Sequence, residues 1–186
     1  MLRYIVIGTV VAAFATGAWA AEVGGVKLDD KVSLGGQDLV LNGAGIRTRA
    51  IFKVYVGSLY LPAKANTAAT VYAKGPRRVQ LNMLRDVTSD QMVDALTEGL
   101  NQANSAAEAG AVKAQMAELA AILKSIGQLK EGNVLAFDFV DGGTRVSLNG
   151  QAKGTIAGDA FNKALFNAWL GDKPVQDDLK KAMLGG

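Results

Sequence analysis

The 186-residue sequence contains no cysteine and no histidine. The first absence leaves packing, without disulfides, to hold the fold. Together the two absences remove the commonest zinc ligands, the commonest general base, and nucleophile systems of the Cys-His or Ser-His-Asp kind. Sites made of carboxylates alone remain open, but no loop is as rich in ligands as a calcium-binding segment, so no metal and no cofactor is expected. A strong excess of one charge is also missing. The formal net charge is +3, the basic residues are dispersed, and their one cluster, residues 74–78, is broken by Gly75-Pro76, which argues against nucleic acid as a partner. Beyond the N-terminus no apolar run approaches the roughly 20 residues that span a bilayer. Even residues 50–61 and 112–126 carry lysine or glutamate inside them.

The N-terminus reads differently. A short basic start, Met1-Leu2-Arg3-Tyr4, precedes an apolar run over residues 5–14 and the small-x-small triplet Ala18-Trp19-Ala20. That is the layout of a cleavable export signal over residues 1–20, cut after Ala20. A membrane anchor is the competing reading, but the run is short for one, and Thr16 and Gly17 interrupt its end. The expected product is a single domain over residues 21–186, periplasmic or secreted, with no integral membrane span after signal removal.

Residues 26–41 alternate apolar pieces with the turns Asp29-Asp30 and Gly35-Gly36, as a first strand or hairpin would. Residues 39–61 read as two long strands or one bent strand, ended by Pro62. A short helix is expected over 66–73, capped by Asn66 or Thr67, then a strand over 79–84 with Val79, Leu81 and Met83 on one side. Thr88-Ser89-Asp90 offers an N-cap for a helix to about Asn101, on which Met92, Leu96 and Leu100 share a face. A longer helix follows with Val112, Met116, Leu119, Leu123 and Ile126 on one face and Gly127 as its stop. Residues 133–156 form an antiparallel meander with turns at Asp141-Gly142-Gly143 and Asn149-Gly150, and a helix pair over 159–170 and 175–184 ends the chain. The order argues an α+β domain in which helices cover one side of an antiparallel sheet, an open-faced sandwich.

Gly43-Ala44-Gly45 lacks the Lys-Ser or Lys-Thr of a phosphate loop and reads as a tight strand connection. Arg47 is either a solvated edge charge or a bidentate clamp for a carboxylate. At these residues the sequence resembles a known family: Gly43-Ala44-Gly45-Ile46-Arg47 and the strand Val54-Tyr55-Val56-Gly57-Ser58-Leu59-Tyr60-Leu61 are similar to signatures of the chalcone isomerase fold. The terminal Leu170-Gly171-Asp172-Lys173-Pro174-Val175 and the residues after it resemble that family's closing helix pair. The nearest branch is the exported bacterial chalcone isomerase-like proteins, related to plant chalcone isomerases and to fatty-acid-binding members.

The resemblance implies that Arg47 faces a ligand cleft. Carried over by position, the other polar residues of the plant isomerase fall on Met92, Gly99, a position near Tyr55 and one near Ala168. Met92 and Gly99 offer no side chain that polarises a carbonyl, so no catalytic residue is assigned and these positions are expected to widen and dry the cleft. With Met92, Leu96, Phe166 and Trp169 around it, Arg47 would anchor a small apolar acid such as a fatty acid, and Tyr55 and Tyr60 are candidates to bond its head group. Each apolar residue taken singly reads better as core. The expected ligand-binding set is Arg47, Tyr55, Tyr60, Met92 and Trp169, in a non-catalytic binding protein. Two rival readings are a divergent intramolecular lyase using Arg47 and a tyrosine, and a haem or tetrapyrrole carrier with Tyr55 or a methionine on the metal.

Overall fold

The computed structural model describes residues 19–72 and 75–186. The expected leader therefore lies outside the described residues, except for its last two, which begin the first strand. Strands β1 (Trp19–Val23) and β2 (Val26–Asp29) form a hairpin. They are followed by β3 (Lys31–Leu34), β4 (Gln37–Arg49) and β5 (Phe52–Leu61), the short helix α1 (Ala68–Val71) and β6 (Arg77–Met83). Next come β7 (Val87–Thr88), α2 (Ser89–Ala103), α3 (Ala106–Ala111), α4 (Lys113–Ile126) and β8 (Gln128–Leu129). The chain ends with β9 (Val134–Val140), β10 (Gly143–Leu148), β11 (Gln151–Ala157), α5 (Asp159–Leu170) and α6 (Asp177–Met183). Seven strands make one antiparallel sheet in the order β11-β10-β9-β6-β5-β4-β3.

Period-two alternation sorts this sheet into two faces. Tyr55, Leu59 and Leu61 on β5, Val79, Leu81 and Met83 on β6, and Leu135, Phe137 and Phe139 on β9 point to the helices and share one core with α2, α4, α5 and α6. The α+β arrangement expected from the sequence is the one observed. On the other face, Arg78, Gln80 and Asp138 form a polar surface, and Arg78 donates to both carboxylate oxygens of Asp138 at 2.5 and 2.9 Å. That face is not bare throughout: at the β3–β5 end the β1–β2 hairpin covers it, with Leu28, Leu39, Leu41, Val56 and Tyr60 buried in a second cluster.

Helix α2 starts on a capping box, Thr88 accepting from the Gln91 amide at 3.2 Å while Gln91 accepts from the Thr88 amide at 3.0 Å. The single helix expected before Gly127 is instead broken at the buried Val112 into α3 and α4. Gly43 and Gly45 also depart from expectation. They are no connection between strands but lie within β4, where α6 crosses the sheet. A Cβ on Gly43 would stand 2.2 Å from the Ala182 carbonyl oxygen, and one on Gly45 2.8 Å from the Ala182 Cβ. Their missing side chains let the terminal helix lie directly on the backbone of β4. Asn42 bolts the same place, donating to the carbonyls of Met183 (2.8 Å) and Ala65 (2.9 Å) and accepting from the Ala65 amide (2.7 Å).

Candidate functional site

Beside α6, the ends of β4 and β5, the first half of α2 and the last turn of α5 enclose a cavity of about 470 Å³. Arg47, Tyr55, Met92 and Trp169 all line it, with Val54, Val87, Ala95, Leu96, Ala168 and Val175 as apolar wall. Four of the five expected residues are thus brought together from four elements.

Tyr60 is the exception. It lies an odd number of residues from Tyr55 along β5, so the pleat sends it to the opposite face, where it is fully buried under the β1–β2 hairpin. Its hydroxyl donates to the Asp29 carbonyl at 3.3 Å, and the expectation that it reaches the cleft is corrected. Phe166 likewise faces away, packing edge-on against Phe139 and Tyr72 in the core. Gly99 does not widen the cleft either. The room a side chain would need there is filled by Val175, whose Cγ1 would be 2.6 Å from a Cβ.

The cavity's polar end is built by a fault in the β4–β5 ladder. Arg47 pairs with Tyr55, but the next partners are Thr48 and Lys53, so Val54 is an extra residue in the strand. This bulge lets Val54 and Tyr55, neighbours in sequence, both line the same cavity. Gln176, just before α6, fills the gap. Its side-chain oxygen accepts from the Thr48 amide (2.9 Å) and from Arg47 Nη1 (3.3 Å), and its Nε2 donates to the Ile46 carbonyl (3.1 Å). Arg47 Nη1 also donates to the Thr48 carbonyl. The guanidinium is therefore held from one edge, and its fork has donors left over.

Tyr55 is buried, and its hydroxyl accepts from Trp169 Nε1 at 3.0 Å. Burial pushes its pKa above the ordinary value, opposed by the Trp169 hydrogen bond and the Arg47 charge. The phenol therefore keeps its proton at neutral pH, and since its oxygen already accepts from Trp169, that proton can be donated to a ligand. A neutral, hydrogen-bonded tyrosine is a poor start for the phenolate that a haem iron would require. Toward solvent the wall turns charged, with Arg49, Arg85, Asp86 and Asp94 around the opening.

A model of chalcone isomerase-like proteins matches residues 20–185. The chain belongs to the chalcone isomerase-like family. Among solved structures it is similar to a fatty-acid binding protein of Arabidopsis thaliana, with a TM-score of 0.66, 11% identity, and coverage of 86% of this chain and 92% of that one. At that identity the likeness speaks to the fold the family shares. No curated protein matches by sequence.

Of the family member's cavity, sequence reasoning missed the clamp at Gln176, the bulge at Val54 and the charged rim. The exposed Ile51 and Phe52, expected within a half-buried strand, stand at the β4–β5 turn and the first position after it. No periodic signal marks any of these, because each depends on which strand ends and helix ends meet.

Proposed function

We propose that this chalcone isomerase-like protein is a non-catalytic binder of a small apolar carboxylic acid, with fatty acids as the fitting class. What carries the reading is a cavity whose buried wall is apolar except at one place, where a guanidinium fork and a phenol proton are paired across two strands. A carboxylate accepts from both, while an alkyl chain lies along Met92, Leu96, Ala168 and Val175. The volume of about 470 Å³ falls within the roughly 300–1,000 Å³ typical of small-molecule sites. The Arabidopsis protein's description as a fatty-acid binding protein points the same way.

Cyclisation of chalcones is not part of this reading, because the apolar wall leaves developing charge unmet beyond Arg47 and Tyr55. The test is direct. Titration with a saturated fatty acid and with its methyl ester should show saturable binding of the acid and much weaker binding of the ester. Equal affinities would sink the acid reading, and a saturable rate of chalcone cyclisation would establish the lyase instead.

We also infer export, on the strength of Ala18-Trp19-Ala20 after the apolar run. The protein recovered from its native host should begin at Ala21 or Glu22. A chain still starting at Met1 in the membrane fraction would contradict it.

A further inference from the structure

We infer that the turn joining β4 to β5 is a membrane-docking element that sets Ile51 and Phe52 into the surface of an anionic phospholipid bilayer, with the cavity mouth facing the lipid. Among the described residues, the large hydrophobic side chains left exposed are Ile51 at 86% and Phe52 at 53%. They stand side by side at the tip of a long hairpin, next to Ala50, whose φ of 53° marks a tight turn. Scattered exposed apolar residues need no explanation, but these two are adjacent, and Phe52 also lines the opening of the cavity.

The charge around the tip selects the occupant. Residues 49–53 hold Arg49 and Lys53 and no acid, and the Arg85 guanidinium stacks over the Phe52 ring at 4.5 Å. The acidic groups nearby lie on α2 or in the segment before it. Asp86 accepts from the Glu131 amide (2.8 Å) and Gln128 (3.3 Å), Glu98 pairs with Arg49 (3.2 Å), and Asp94 lines the cavity rim. An apolar pair flanked by Lys53 and Arg85, with Arg49 paired to Glu98, matches a surface with anionic headgroups above hydrocarbon, and each cation held near such a surface strengthens partition roughly fivefold. In a symmetric dimer through this tip, by contrast, the same cations would oppose one another. Docking here would let an acid pass between bilayer and cavity without crossing water, a consequence that rests on the binding reading above.

The experiment is co-sedimentation of the protein with vesicles of phosphatidylcholine alone and of phosphatidylcholine mixed with phosphatidylglycerol. Binding to the anionic vesicles should exceed binding to the neutral ones by about 25-fold, the product of two such cations, and fall as salt is raised. Ile51→Glu and Lys53→Glu, neither of which lines the cavity, should each lose most of that binding. Both should still take up a fatty acid from solution like wild type. Equal partition of wild type and Ile51→Glu, or no preference for anionic vesicles, overturns the proposal. So does concentration-dependent self-association that Ile51→Glu abolishes, which would give the tip to a second copy. Vesicle binding without acid binding would leave docking standing and defeat the proposed function, and the reverse would do the opposite.

Discussion

Arg47 and Tyr55 face each other across β4 and β5, yet their partners give them different weights in folding and binding. Arg47 is half-buried and tied at one edge to Gln176 and Thr48. Replacing it with alanine should weaken a bound acid by about 1.5–3 kcal/mol, the value of a charge-assisted contact, and leave the ester nearly unaffected. Lysine should restore only part of the loss, because a point charge does not reproduce the planar fork. Calorimetric titration of the three proteins checks this. Tyr55→Phe removes the acceptor of the buried Trp169 Nε1. It should cost about 1–3 kcal/mol of stability in urea denaturation as well as acid affinity. Tyr60→Phe should touch stability slightly and acid binding not at all, since its weak bond to Asp29 lies on the other face. Loss of acid affinity in Tyr60→Phe would contradict the placement of the cavity.

Helix α6 shapes the site without lining it. It lies on Gly43, Gly45 and Gly57, and the residue just before it, Gln176, pins the bulge that delivers Tyr55. Gly43→Ala would drive a methyl group into backbone atoms of Ala182, Met183 and Gly185, and backbone has no rotamer with which to yield. Overpacking of this kind costs about 1–3 kcal/mol or more. Gly45→Ala meets Ala182 Cβ, which cannot rotate away either, at the longer distance of 2.8 Å and the movable Leu179 Cδ1 at 3.3 Å, and should cost less. Thermal melts of the two variants should rank in that order, and acid affinity should fall in Gly43→Ala as the Gln176 clamp shifts. A Gly43→Ala protein with wild-type stability would mean that α6 is free to lift.

Taken as a whole, the molecule has no histidine or cysteine, so no side chain has an ordinary pKa between about 5 and 8. Its stability should be nearly flat across that range. The change comes at high pH. Burial raises Tyr55 above its ordinary 10.0 and pushes Tyr60 and Tyr72 up to about 12. Below pH 10 the folded and unfolded chains both keep these protons, and no stability depends on them. Above it the unfolded chain ionises first, so stability falls as pH rises from 10 toward 12. Alkaline titration should show phenolate absorbance appearing together with the loss of far-ultraviolet dichroism. Phenolate formation well before unfolding would place these hydroxyls in water.

Local pattern was enough to determine a good deal by itself. Alternation at Val79, Leu81 and Met83 fixes which side of β6 is core, the Thr88 cap with Gln91 starts α2, and the turns at Gly142 and Asn149-Gly150 set the meander. These signals repeat within a few residues, and the forces behind them act at that range. Met92 and Trp169 read from the pattern as apolar, and it took the family resemblance to set them around Arg47, because residues on β4, α2 and α5 meet only after the sheet curls. The face of Tyr60 follows from strand alternation only once it is known which face the helices take. The glycines of β4 looked like a turn because glycine's use in turns is local, whereas their role here is to admit a helix more than a hundred residues later. What the tertiary structure decided is the bulge at Val54. A single extra residue there, opposite the stretch of β4 that Gln176 holds from across the molecule, turns Val54 into the same cavity as Tyr55 and Arg47.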